Sequence, residues 1–121
     1  MKNIIETMRR QYPVSDATLK ELESHLTLCH FPKKHKLIRE GIYCKYAYFI
    51  EKGFLRAYWI VDGEEITTSF GKEGCIVFSM DELYYNQKSE EYVEALEEVE
   101  AYRISITELR KLFETNLELC N

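Results

Sequence analysis

Apolar residues recur along the chain with two different periods, and the change of period marks a change from helix to sheet. Ile4, Ile5, Met8 and Tyr12 fall at helical spacing and stop at Pro13. Ser15 or Asp16 then caps a second helix, in which Leu19, Leu22 and Leu26 form one packing stripe with His25 beside it. From about Leu28 the period drops to two. Lys36 to Glu40 runs into Gly41, Tyr46 to Ile50 runs towards Gly53, and Phe54 to Val61 meets Glu64 to Phe70 across Asp62-Gly63. An Asp-Gly pair between alternating apolar residues predicts a hairpin, because both turn residues tolerate positive φ and so short a loop sets the register. The expected pairs are Val61 with Glu64, Trp59 with Ile66, Ala57 with Thr68, and Leu55 with Phe70. This pairing turns Leu55, Ala57, Trp59, Ile66, Thr68 and Phe70 inward and leaves Phe54, Arg56, Tyr58, Thr67 and Ser69 on an amphipathic outer face. Helical spacing returns near the end. Ser105-Ile106-Thr107-Glu108 fits a capping box, and Leu109, Leu112, Phe113 and Leu117 make the packing face that follows it.

Glycine marks the turns at Arg39-Glu40-Gly41, Glu51-Lys52-Gly53 and Gly71 to Gly74, so the short strands read as an antiparallel roll. The expected fold class is mainly β with flanking helices, a double-stranded β-helix or jelly roll. One domain is expected: residues 1–29 as a helical segment on the roll, 30–104 as the roll, and 105–121 as a C-terminal helix. Between Gly74 and Ala95 a turn, a short helical stretch, a polar loop and a returning strand follow one another. A helix N-terminus in such a layout could turn unpaired N–H groups toward an anion. Ser79-Met80-Asp81-Glu82 is at the same time a capping box, in which Ser79 simply starts that helix.

The order of Glu-Gly, Lys-Gly, Asp-Gly hairpin and Gly74–Ala95 segment resembles the cyclic-nucleotide-binding domain of the Crp/Fnr family of transcription regulators, over most of the chain. Aligned without a gap, Phe78, Ser79 and Met80 stand at the family's Gly-Glu-Leu positions, and Ser89, Glu90 and Glu91 at its Arg-Ser-Ala positions. The resemblance therefore implies a β-roll whose cassette has Ser79 where a glutamate would hold the ribose hydroxyl, and Ser89 where an arginine would neutralise the cyclic phosphate. It implies a ligand cavity near Leu55, Thr68, Phe78, Ser79, Met80, Ser89 and Glu90. It also implies that a cyclic nucleotide such as cyclic AMP would not be held in the family's usual way. Carboxylates at Glu90, Glu91 and Glu94 favour a neutral or cationic effector over a phosphate, since like charges a few Å apart repel by about 1 kcal/mol even in water.

Charge changes the picture of possible partners. The chain of 121 residues has a net charge of −5. Residues 1–60 carry eleven Lys and Arg against six Asp and Glu, whereas residues 61–121 carry five against fifteen. So acidic a second half is a poor surface for nucleic acid, whose binding requires neutralised phosphates. The same family resemblance implies DNA binding only through a C-terminal helix-turn-helix domain that the chain does not contain, with homodimerisation in the full-length regulator. The expected chain is then the sensor portion of a longer regulator or a domain that acts alone through a partner. No apolar run suits a membrane span or a signal peptide, so a cytoplasmic protein without membrane contact is expected.

Cys29, Cys44, Cys75 and Cys120 are irregularly spaced and read as reduced thiols. Cys29, His30, His35 and Cys44 match no common zinc spacing, so no metal is expected. His25, His30 and His35 all precede the main β block, which argues against a metal-dependent cupin on this fold. No arrangement of nucleophile and base points to catalysis. The expected role is an effector-sensing regulatory domain, in which a bound small molecule repositions the short helix and the C-terminal helix. The alternatives are a non-enzymatic interaction module without a small ligand and, more remotely, a cupin-like metal protein.

Overall fold

A computed structural model describes residues 2–11, 15–43, 45–78 and 91–115. Two helices, α1 (Lys2–Gln11) and α2 (Asp16–Ser24), lead into the strands β1 (Thr27–Phe31), β2 (Lys36–Ile38), β3 (Tyr46–Lys52) and β4 (Leu55–Val61). After these come β5 (Glu64–Gly71), β6 (Ile76–Val77), β7 (Tyr92–Ala95), β8 (Val99–Ser105) and a helix, α3 (Ile106–Thr115). The strands form two four-stranded sheets, ordered β1-β8-β3-β6 and β2-β7-β4-β5, and every pairing is antiparallel. This is the double-stranded roll with flanking helices that the strand pattern implies.

Both faces of the first sheet are covered, and the sequence of β3 shows why. Tyr48 and Ile50 point into a core between the sheets with Leu37, Leu55, Val93 and Val99. Ala47 and Phe49 point the other way, into a second core with Ile4, Leu22, Ile104 and Leu109 from the helices and β8. A strand buried on both sides loses its polar alternation, so Tyr46 to Ile50 reads as one apolar run. Ser15 is the N-cap of α2, its hydroxyl accepting from the Thr18 amide at 3.3 Å, which decides between the two candidate caps. Ser105 accepts from the Glu108 amide at 3.1 Å as the capping box requires, while the Glu108 carboxylate faces His25 Nδ1 at 3.3 Å and ties α3 to the end of α2. Tyr12, Pro13, Leu117 and the helix expected to begin at Ser79 lie outside the described residues, as does the Phe113 side chain.

The hairpin follows its expected register only near the turn. Asp62 and Gly63 both adopt positive φ, 53° and 82°, and Val61 pairs with Glu64 and Trp59 with Ile66. Beyond that the register shifts: Tyr58 pairs with Thr67 but Ala57 pairs with Ser69 and Leu55 with Gly71. The expected pairs Ala57 with Thr68 and Leu55 with Phe70 are thereby corrected. Thr68 is the extra residue of a bulge, and its hydroxyl donates to the Ala57 carbonyl at 3.2 Å. Because side chains alternate, one inserted residue moves Ser69 to the face of Ala57 and sends Phe70 to the outer face, where it stacks on Phe54 at 5.5 Å.

The expected inward face also needs correction. Leu55 is buried, but Trp59 is 40% exposed and Phe70 63%. The reason is topological: β7 pairs with β4 only from Leu55 to Tyr58, so Trp59 to Ile66 project as a two-stranded ribbon that nothing covers among the described residues. Tyr58, expected outside, is only 2% exposed. Its ring stacks on Tyr92 of the neighbouring strand at 5.2 Å and lies 4.1 Å beneath the Arg56 guanidinium. Arg56 in turn donates to Glu94 at 3.2 Å, to Thr67 at 3.3 Å and to Glu65, stitching three strands together on the outer face.

Candidate functional site

A cleft of about 180 Å³ opens where the hairpin base meets β6 and the start of β7. Leu55, Ala57 and Ser69 form one wall, Cys75, Val77 and Phe78 another, and Glu91 with Val93 a third. Leu55 is there because β4 turns it towards the inter-sheet core, and Ser69 is there because of the bulge. Thr68, the sequence candidate, does not line the cleft; it is exposed and engaged with β4. Of the other sequence candidates, Leu55 and Phe78 line this cleft. Ser79, Met80, Ser89 and Glu90 lie outside the described residues.

The lining is mixed, with apolar side chains beside the Ser69 hydroxyl, the Cys75 thiol and the half-buried Glu91 carboxylate. Arg56 also borders the cleft, but its guanidinium is taken up by Glu65, Glu94 and Thr67. Such a surface suits a small amphipathic molecule with hydroxyl or amino groups and offers an anion little compensation for lost water. Ser69 and Glu91 were not among the sequence candidates. Glu91 was aligned to a cassette position and is legible there as a charge. Ser69 was assigned to the outer face, and no pattern in the hairpin signals the bulge that turns it.

Burial pushes the Cys75 thiol above its ordinary pKa, and nearby Glu73 acts in the same direction, against hydrogen bonds from the Lys72 and Cys75 backbone. Burial likewise raises Cys29, whose thiol donates to the Ala101 carbonyl at 3.4 Å. A raised pKa leaves less thiolate at neutral pH, and the thiolate is the reactive form. Alkylation by iodoacetamide at pH 8, followed by peptide mass spectrometry, should therefore modify Cys75 on the order of tenfold more slowly in the folded protein than in urea. Equal rates in both states would place the thiol in open solvent.

The loop that starts the cleft is also the seat of α1. The Gly74 amide donates to the Ile50 carbonyl at 2.7 Å, and the Ile50 amide donates to the Cys75 carbonyl at 3.0 Å. On the other side of Gly74 lies Thr7 of α1. Upstream on β3, the buried Glu51 carboxylate accepts from the Asn3 amide at 2.8 and 3.0 Å and from the Ile4 amide at 3.3 Å, capping the first turn of α1. In the sequence Glu51 reads only as part of a Glu-Lys-Gly turn. Phe78 completes the connection: it lines the cleft and packs against the cluster of Ile4, Met8, Leu109 and Leu112. Among the described residues no group of three or more His, Cys, Asp or Glu gathers as metal ligands would, and no helix is long and apolar enough to cross a membrane.

Two antiparallel four-stranded sheets around a small cleft, with helices seated on one sheet, define a β-roll domain. The chain belongs to the cyclic nucleotide-binding domain family, whose model matches residues 28–116. No curated protein matches it in sequence. Among solved structures it is similar to the regulatory domain of Toxoplasma gondii PKA crystallised with cAMP, at 18% identity and a TM-score of 0.80, covering 92% of this chain and 43% of that one. It is similar to the catabolite activator protein of Thermus thermophilus, at 15% identity and a TM-score of 0.80, covering 89% of this chain and 51% of that one. It also resembles the regulatory subunit of a cAMP-independent protein kinase A from Trypanosoma brucei, in a mutant form bound to cAMP, at 20% identity and a TM-score of 0.74, covering 86% and 37%. The chain thus spans about half or less of the length of each of these proteins.

Proposed function

We propose that this chain is the effector-sensing part of a transcription regulator of the Crp/Fnr type, with a ligand that is small and neutral or cationic rather than a cyclic nucleotide held in the usual way. The observation that carries this reading is Phe78, which contacts the cleft on one side and the helical cluster on the other. Occupancy of the cleft would shift Phe78 and the Gly74-Cys75 loop, and with them the packing of α1 and α3. A ligand acts this way only by binding one arrangement better than the other. Ser79 and Ser89 at the glutamate and arginine positions, with Glu91 in the wall, support a departure from cyclic AMP. The Trypanosoma brucei relative, described as cAMP-independent, is a precedent for such a departure on this fold.

Thermal-shift titration tests the ligand class. Cyclic AMP and cyclic GMP at about 1 mM should leave Tm unchanged, because binding to the native state must raise apparent stability. A rise of several degrees would return the domain to ordinary nucleotide sensing. The coupling has its own measurement. Phe78→Ala should speed hydrogen exchange in both α1 and α3 while leaving β1 protected, and an effect confined to the neighbourhood of residue 78 would remove the proposed link between cleft and helices.

A further inference from the structure

The roll has a second opening, larger than the Ser69 cleft and of different chemistry. A cleft of about 380 Å³ lies beneath the connection between β2 and β3. Both sheets build its floor, through Leu37 of β2 and Tyr48 of β3, which also belong to the core between the sheets. Ile42 and Tyr43 stand at its exposed rim, and Lys36, Arg39 and His35 supply its basic groups. Among the described residues no carboxylate lines it.

We propose that this cleft is a separate binding site for a small aromatic carboxylate. Charge supplies the first argument. Among the described residues neither Lys36 nor Arg39 makes an ion pair. Glu94 stands opposite Lys36 in the strand register, but it already accepts from the Arg56 guanidinium at 3.2 Å. Glu40 and Glu65 line the neighbouring hollow of the outer face and not this cleft. Two cations in one mouth attract an anion, and the planar guanidinium matches a carboxylate at two points.

Shape supplies the second argument. The His35 ring lies on Phe31 at 4.7 Å, and Phe31 meets the Tyr48 ring edge-on at 5.5 Å. The His35 backbone is held as well: its amide donates to the Pro32 carbonyl at 3.1 Å, and its carbonyl accepts from the Ala95 amide at 2.9 Å. Rings fixed before binding lose little freedom when a flat ring packs on them. At the rim the Ile42 amide donates to the Arg39 carbonyl at 3.3 Å, so one turn holds an apolar side chain beside a cation. The volume falls in the range of small-molecule sites. This inference does not depend on the reading of the Ser69 cleft, because the two clefts share no lining residue.

Titration of the isotope-labelled 121-residue chain with 2-naphthoate, followed by NMR, reads both affinity and place. The amide signals of His35, Arg39 and Ile42 should shift and saturate with a Kd of about 1 mM or below. 2-Naphthamide, the same ring without the charge, should bind on the order of tenfold more weakly. Lys36→Gln combined with Arg39→Gln should weaken the naphthoate on the order of tenfold and leave the amide unchanged, while Lys20→Gln on the exposed side of α2 should alter neither. Undisturbed signals from β1 and β8 control for folding, which these replacements should preserve. Equal affinity for acid and amide, a naphthoate indifferent to the double variant, or no saturable shift would overturn the proposal. So would shifts confined to Cys75 and Val77, which put the acid in the Ser69 cleft, or to Tyr58 and Ile60, which put it on the outer face.

Discussion

Gly74→Ala is expected to lower stability by about 3 kcal/mol, the sum of a positive-φ penalty of about 1–2 and an overpacking cost of about 1–3. Gly74 has φ +88°, a backbone conformation that an L side chain adopts only under strain. A Cβ added there would lie 2.8 Å from Thr7 Cβ and 3.0 Å from Thr7 Cγ2, and would overlap the Thr7 hydroxyl oxygen. Thr7 cannot easily yield, because it is buried on α1 and that helix is held at its N-terminus. For a domain of this size the loss corresponds to a fall in Tm on the order of 10 °C. Thr7→Ala in the Gly74→Ala background removes the hydroxyl and methyl contacts but leaves the φ strain, so it should recover about half of the deficit. A double variant no more stable than Gly74→Ala would mean that α1 does not sit against the cleft loop.

The second large effect is expected at Glu51. Its carboxylate is buried on β3 and accepts two amides at the start of α1, while Asn3 Nδ2 donates to the Glu51 carbonyl at 2.8 Å. Helix N-termini present unpaired donors and partial positive charge, so a buried carboxylate there makes charge-assisted hydrogen bonds. Glu51→Ala strands those donors and should cost about 3 kcal/mol, whereas Glu51→Gln keeps one acceptor oxygen without the charge and should cost about half as much. Chemical denaturation gives the magnitudes. Hydrogen exchange gives the location: the Asn3 and Ile4 amides should lose protection before the strands of the roll do. A loss below about 1 kcal/mol for the alanine variant would show that α1 does not rely on this cap.

These two positions, with Phe78, seat α1 against the loop and strand that border the cleft. Cys75 lines the cleft, its neighbour Gly74 touches Thr7, and β3 carries Glu51 beneath the first turn of the helix. A change at the cleft that moved the Gly74-Cys75 loop would meet α1 within one residue. That proximity is why the coupling experiment follows both α1 and α3.

Local patterns carried the elements well. Helical spacing located the packing faces of α1 and α2 and the Leu109–Leu112 face of α3, Ser15-Asp16 and Ser105 marked two helix starts with the structure choosing Ser15 as the first cap, and the Asp62-Gly63 turn paired Val61 with Glu64 and Trp59 with Ile66. The order of turns and strands was enough to point to the cyclic nucleotide-binding domain family, whose model matches residues 28–116. Each of these features depends on residues within a few positions of one another, where backbone geometry is dictated by the side chains themselves.

The cleft was legible only in outline. Leu55 and Phe78 line it and Thr68 does not; Ser69 stands in the wall instead, because a bulge several residues from the turn changes which side chains face inward. Threonine and serine tolerate a regular strand and a bulge alike, so nothing in Thr67-Thr68-Ser69 announces the insertion. The exposure of Trp59 and Ile66 was equally hidden, since it follows from where β7 stops pairing with β4. The amides that the Glu51 carboxylate accepts come from residues 47 and 48 positions away in the chain, where no local pattern reaches.

Sequence alone thus determined the periods, the caps, the hairpin turn and the family, because these rest on short-range sterics and hydrogen bonding. Tertiary structure decided which face of the hairpin meets the cleft, that α1 is clamped by Glu51 and Gly74, and that β5 ends its sheet among the described residues. Those outcomes depend on where distant strands begin and end, and a period of two says which residues share a face without saying what, if anything, will cover it.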